Sequence, residues 1–134
     1  MKGGKKILVV DDEAPILEML KGLFGRNGYQ VVTAQSAEKA LEILSKESIM
    51  VMFLDIKLPG MSGIDLCKQI RKENSIPIIH AITGYENVFS LLQCRTAGFD
   101  DFFSKPADFN ILSEAAENAF KKLERWKVDE YNLT

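Results

Sequence analysis

Cysteine is scarce in this chain, Cys67 and Cys94 alone, which argues against a disulfide-stapled scaffold. Both fall inside helix-like segments, and the reading is two reduced, part-buried thiols and not a bridge. Neither charge dominates: 17 Lys and Arg against 19 Asp and Glu leave a formal net charge of −2. No global basic field therefore points to direct nucleic-acid binding. No apolar run approaches the roughly 20 residues that span a bilayer, so no membrane partner is expected. The start, Met1 to Lys6, is basic, but the apolar stretch around Ile7–Val10 ends at Asp11. That is too short for a signal-peptide core, and a cytoplasmic location is expected. Histidine occurs once, at His80, inside an apolar run. It reads as a core histidine bonded to a neighbour, because a phospho-histidine would need an exposed helix face. Internal repeats, low-complexity runs and linkers are missing too, which leaves one domain.

What is present suits a folded domain with one core: 134 residues, 46% hydrophobic and 27% charged. Short apolar runs alternate with amphipathic stretches throughout. Lys6–Val10, Met50–Leu54 and Ile76–Ile82 read as strands, continuously apolar and so buried on both faces, as in a parallel sheet covered by helices. Tyr29–Thr33 and Phe99–Phe103 are more polar, as edge strands tend to be. The first helix carries Ile16, Leu17, Leu20, Leu23 and Phe24 on one stripe and stops at Asn27-Gly28. Ser36 is the expected N-cap of a second helix with Ala40, Leu41 and Leu44 on its face. Ser62 and Asp65 make a capping box ahead of Ile64, Leu66, Cys67 and Ile70. Val88, Leu91, Leu92 and Arg95 belong to a fourth helix that ends at Ala97-Gly98. The last begins near Asp108 and runs Ile111, Leu112, Ala115, Ala116, Ala119, Phe120 and Leu123. The fold class is α/β: a flavodoxin-like, doubly wound (βα)5 three-layer sandwich whose parallel five-stranded sheet has the order 2-1-3-4-5.

In such sheets, ligands sit outside the carboxyl ends of the strands. That rule gathers Asp11, Asp12 and Glu13 after the first strand with Asp55 after the third. Thr83-Gly84 after the fourth and Ser104-Lys105-Pro106 after the fifth join them. At an effective dielectric of about 20, like charges roughly 4 Å apart cost on the order of 4 kcal/mol. A hard divalent cation relieves such repulsion, and Mg²⁺ favours a few carboxylates with waters and phosphate oxygens. Lys105 offers a point charge and Thr83 a hydroxyl donor for phosphoryl oxygens. The constellation suits phosphoryl transfer to a carboxylate.

Leu8-Val-Val-Asp-Asp-Glu13, Leu54–Leu66, Pro77–Gly84 and Phe103-Ser-Lys-Pro106, in that order and at those strand ends, resemble the sequence blocks of bacterial response-regulator receiver domains, the CheY-like superfamily of two-component signalling. The resemblance runs from the first strand to the last helix. It implies a phosphoprotein, not a general enzyme, that catalyses only its own phosphorylation and dephosphorylation. Asp55 would be the phospho-acceptor. Asp12 would ligate Mg²⁺ (Mn²⁺ as substitute) directly, Asp11 would order the metal shell directly or through water, and the backbone carbonyl of Lys57 would be a further ligand. Thr83 would hydrogen-bond the phosphoryl group and Lys105 would pair with it, the Lys105–Pro106 peptide being cis. Phe102 holds the aromatic switch position and would turn inward as Thr83 moves. The partners implied are a sensor histidine kinase or histidine phosphotransfer protein and a downstream target or output domain. Output would run through the fourth helix, fifth strand and fifth helix, with a phosphorylation-dependent homodimer through that face left open.

Two positions depart from the usual pattern. Lys57 lies two residues past the acceptor, where with Tyr85 it would crowd the line of water attack. Gly84 stands where Ala is common. The glycines of Pro59-Gly60 and Gly63 are expected to leave room beside the metal site. Residues 1–126 are expected to form the receiver and 127–134 an extension of the last helix or a tail. Trp126 and Tyr131, past the expected end of the last helix, either cap the core or mark a partner surface. With no output module within these residues, a stand-alone receiver and a piece of a longer protein both stay open. Of the rival readings, a haloacid-dehalogenase-type phosphatase expects a second acid where Lys57 stands. A flavodoxin expects a hydroxyl-rich phosphate loop where Asp-Asp-Glu stands. The remaining alternative is a degenerate receiver that binds proteins without phosphorylation.

Overall fold

The computed structural model describes residues 4–84 and 88–126, with Val88 and Phe89 by backbone alone. Strands and helices alternate: β1 (Lys6–Val10), α1 (Ala14–Arg26), β2 (Gln30–Ala34), α2 (Ala37–Leu44), β3 (Val51–Leu54), α3 (Gly63–Glu73), β4 (Ile78–Thr83), α4 (Val88–Ala97), β5 (Asp101–Ser104) and α5 (Phe109–Arg125). The sheet has the order β2-β1-β3-β4-β5, and every neighbouring pair is parallel. This is the flavodoxin-like (βα)5 arrangement expected from the pattern of runs. The continuously apolar strands β3 and β4 are buried at every residue, while β2 and β5, at the edges, are largely half-buried or exposed.

Strand side chains alternate between two cores. Ile7, Val9, Val51, Phe53 and Ile82 pack under Leu17, Leu20 and Phe24 of α1 and Leu112, Ala116 and Phe120 of α5. Leu8, Val10, Met52, Leu54 and Ala81 pack under Ala40 of α2, Leu66 and Ile70 of α3, and Cys94 and Ala97 of α4. His80 lies in the first of these layers, stacked on Phe53 at 4.2 Å, and its Nδ1–H donates to the Met52 carbonyl at 2.9 Å. It is the core histidine the sequence implied. Cys67 and Cys94 are free thiols, fully buried where partial burial was expected. Burial pushes the Cys67 thiol up to about 11, which keeps it protonated and inert.

Helix ends follow local chemistry. Ser36 Oγ accepts from the Lys39 amide and Ser62 Oγ from the Asp65 amide, both at 3.1 Å. Asp108 caps α5 through the amides of Asn110 and Ile111. Gly28 and Gly98 end α1 and α4 at φ 93° and 107°.

Several boundaries differ from the runs. Tyr29 is not in β2: its amide caps α1 on the Phe24 carbonyl and its ring stacks on Phe120. Met50 lies outside β3 and Ile76-Pro77 outside β4, since Pro77 has no amide to give a ladder and its carbonyl accepts from Arg71 at 2.7 Å. Phe99 also precedes its strand, its amide bonded to the Cys94 carbonyl. Conversely, β4 and β5 each reach one residue further than expected, to Thr83 and Ser104. The inward face of α4 is made of small residues. Ser90, Cys94 and Ala97 are buried, whereas Leu91 and Leu92 are 38% and 60% exposed. The small residues let α4 pack close to α3, where the Cys67 thiol reaches the Ala97 carbonyl. Trp126 is 72% exposed and does not cap the core; Tyr131 lies outside the described residues. No helix among the described residues is long and apolar enough to cross a membrane.

Candidate functional site

The residues just past three strands stay in the ladder by one more backbone hydrogen bond. The Asp11 amide donates to the Ala34 carbonyl at 3.1 Å, the Asp55 amide to Val10 at 2.9 Å and the Lys105 amide to Thr83 at 2.9 Å. The sheet itself therefore fixes the base of each side chain. Close packing behind Asp55 adds to this, since a Cβ at Gly63 would run into the Asp55 backbone carbonyl. Gly63 thus makes room for the Asp55–Ile56 backbone against α3, which differs from the expected role beside a metal.

The two buried carboxylates are satisfied in parallel fashion. Asp11 Oδ1 accepts from the Glu13 amide at 2.9 Å, and its Oδ2 accepts from Lys105 Nζ at 2.7 Å. Asp55 Oδ1 accepts from the Lys57 amide at 3.1 Å, and its Oδ2 accepts from the same Nζ at 3.0 Å. Glu13, mostly exposed, adds a looser ion pair to Lys105 at 3.7 Å. One carboxylate oxygen from each of Asp11, Asp12 and Asp55 lies within 4.8 Å of the other two. Asp11 and Asp55 are 3% and 5% exposed, whereas Asp12 is exposed.

The electrostatics reflect two buried carboxylates sharing one ammonium. Burial pushes the Asp11 carboxyl above its usual range, although Lys105 and the Glu13 amide favour the charged form. Burial opposes the charge on Lys105, but its bonds to Asp11 and Asp55 outweigh that and raise its pKa. Both shifts are upward for different reasons, burial at Asp11 and the two ion pairs at Lys105. A second negative centre without an ammonium would be costly here, and an oxygen-rich, anionic pocket of this kind can coordinate a divalent cation. Above the cluster opens a cavity of about 710 Å³ lined by Asp12, Glu13, Asp55, Lys57, Leu58, Pro59, Thr83, Gly84 and Lys105. A second cavity, about 600 Å³, lies at the amino ends of β3 and β4 among Leu41, Ile49, Met50 and Ile70. It is remote from the carboxylates.

Residues 7–117 match the response regulator receiver domain family. This chain belongs to that family. Over 102 residues it is 38% identical to the alkaline phosphatase synthesis transcriptional regulatory protein PhoP of Bacillus subtilis, covering 76% of this chain and 42% of that protein. A cyclic di-GMP phosphodiesterase of Thermotoga maritima is 32% identical over 106 residues, 79% of this chain and 28% of its own length. The chain thus spans less than half of either protein. The crystal structure of a CheY-like receiver domain protein from Methanospirillum hungatei JF-1 superposes with a TM-score of 0.87 at 30% identity, covering 90% of this chain and 97% of that one. Receiver domains act as phospho-acceptors that work on themselves and are not general enzymes.

Within this receiver, Asp11, Asp55 and Lys105 are joined by direct bonds, and Asp12, Thr83 and Lys57 border the same cavity. Thr83 is the last residue of β4 and 1% exposed. Phe102 stands apart from the cavity, half-buried in β5 beside Ala81. The Lys105–Pro106 peptide is cis, as the resemblance implied. Tyr85 lies outside the described residues. The ion pair of Lys105 with both buried aspartates was missed in the sequence; nothing in spacing links residues so far apart, although the strand-end rule places them together. Glu13 as a further partner of Lys105 was missed too, its signal being only its place beside Asp12.

Proposed function

We propose that this receiver takes a phosphoryl group onto Asp55 in a Mg²⁺-dependent reaction. The observation that carries the reading is Asp55 itself. It is a buried carboxylate at a strand end, held by one amide and one ammonium, and facing a cavity that it shares with Asp12, Glu13 and Thr83. A partner histidine kinase or histidine phosphotransfer protein presents phospho-histidine there. An Asp55 oxygen attacks phosphorus in line, the P–N bond breaks, and its electron pair stays on the departing imidazole. Lys105 Nζ gives up Asp55 Oδ2 for a phosphoryl oxygen while keeping Asp11. The donor set of Asp11, Asp12 and Asp55, with the Lys57 carbonyl, fits a hard cation; Mg²⁺, or Mn²⁺ in its place, would offset charge on the phosphoryl oxygens.

Phosphorylation adds negative charge and strong acceptors. The Thr83 hydroxyl turns to meet them, Phe102 follows inward, and the α4-β5-α5 surface changes. Moving a two-state equilibrium from about 1:99 to 99:1 takes roughly 5.5 kcal/mol. A few charge-assisted hydrogen bonds at about 1.5–3 kcal/mol each are enough. The exposed Leu91 and Leu92 of α4 lie on that surface and supply apolar area for a downstream protein, an output domain or a second copy. Lys57, with Tyr85, sets the lifetime of the phosphoryl group. Equal hydrolysis rates in Lys57→Asn, Tyr85→Ala and wild type would remove that role. The remaining parts of the proposal are a cytoplasmic setting, a receiver over residues 1–126 and a tail over 127–134.

Beryllofluoride with Mg²⁺ tests the reading through amide chemical shifts. Shifts at Asp55, Thr83 and Phe102 that need both reagents and vanish in Asp55→Asn support it. An unresponsive wild type would instead favour the degenerate, phosphorylation-independent binding module.

A further inference from the structure

The segment between β3 and α3 flanks the acceptor, with Lys57, Leu58 and Pro59 along the cavity wall. It is tied down at three points. At one end the Lys57 amide donates to Asp55 Oδ1, and at the other the Gly63 amide donates to the Ile56 carbonyl at 3.0 Å. Between them the chain turns at Gly60, φ +74°, and there the Met61 amide donates to Glu38 Oε2 at 3.3 Å. Glu38 comes from another element. It sits in the first turn of α2, behind the Ser36 cap, where the helix dipole favours its negative charge. Its carboxylate also lies against the Gly60 backbone: a Cβ there would stand 3.2 Å from Oε2 and 3.8 Å from Oε1. Below the turn, Ile56 and Leu58 are buried in the core. The segment is thus anchored underneath by apolar side chains and braced on its outer side by one carboxylate.

We infer that Glu38 is a positioning residue for cation binding: it pins the Gly60–Met61 turn and thereby the backbone at Lys57. This rests on the reading above, in which the Lys57 carbonyl is a metal ligand. Glu38 never touches the metal or the phosphoryl group. It acts on the loop, as outer partners of metal ligands do.

The geometry separates bracing from long-range charge. Glu38→Gln removes the charge but keeps a carbonyl oxygen for the Met61 amide; Glu38→Ala removes both. Calorimetric titration of the full chain with MgCl₂ reads the cation, and hydrogen exchange at the Met61 amide reads the brace without any metal. The expected result is a loss of Mg²⁺ affinity of about tenfold in Glu38→Ala, faster Met61 exchange in the same variant, and near wild-type behaviour of Glu38→Gln in both. Wild-type affinity in Glu38→Ala overturns the inference and leaves the phospho-acceptor reading intact. An equal loss in Glu38→Gln overturns it also, because charge and not position would then be at work. A wild-type chain that takes up no Mg²⁺ overturns the metal reading and this inference together.

Discussion

The two sides of the sheet's carboxyl edge are built to different tolerances. On the β1–β3 side, Asp11 and Asp55 are buried, and each carboxylate oxygen has a donor. Their backbones continue the ladder. Behind them Phe53 is 1% exposed, stacked between Phe24 and His80. On the β5–α4 side, the strand is short and half-exposed, and α4 turns small residues inward and leucines out. The first side holds a fixed geometry, as chemistry at a carboxylate requires. The second has less buried apolar area to hold it in one place.

The largest blow to this contrast would come from the rigid side. Phe53→Ala empties the centre of the aromatic stack and is expected to cost about 3–5 kcal/mol in urea unfolding. Lys105→Ala comes next. It strands two buried aspartates, and without divalent cation stability is expected to fall by about 3 kcal/mol. Added Mg²⁺ should recover more stability in this variant than in wild type, since the cation replaces the missing charge. Equal recovery in both proteins would contradict the shared-ammonium account.

A smaller effect is set by pH. Burial holds the His80 imidazole below its ordinary value, against the pull of the Met52 carbonyl, Asp100 and Asp101. A group depressed in this way contributes stability that is present above its ordinary pKa of 6.5 and lost as pH falls towards the folded value. The slope from one such proton is at most about 1.4 kcal/mol per pH unit. Asp11, raised by burial, works in the opposite sense and gains stability on acidification. The clean readout is therefore the difference between wild type and His80→Gln, which should shrink as pH falls below 6.5. Smallest of all is Phe102→Ala, on the loose side, at about 1–1.5 kcal/mol for a ring that is only partly buried. A cost equal to that of Phe53→Ala would erase the comparison.

Much of this was legible because it depends on runs and ends. Apolar runs such as Val51–Leu54 read as buried strands, and whatever follows a parallel strand lies at the carboxyl edge. Asp11, Asp55, Thr83 and Lys105 were placed by that rule alone. What escaped depends on reach across the fold. Phe99 reads as strand by composition but serves the end of α4, and Pro77 gives its carbonyl to Arg71. The inward face of α4 is not visible in the pattern, because Ser90, Cys94 and Ala97 carry little hydrophobic signal beside the exposed Leu91 and Leu92. The brace from Glu38 to Met61 joins two elements through one exposed carboxylate, and nothing in local spacing announces it.

The most direct test of the central claim is intact-mass measurement of the full chain after incubation with acetyl phosphate. A single added phosphoryl group that requires Mg²⁺, disappears in Asp55→Asn and maps to Asp55 is the predicted result. Phosphorylation that persists in Asp55→Asn, or none in the wild type with Mg²⁺ present, would contradict it.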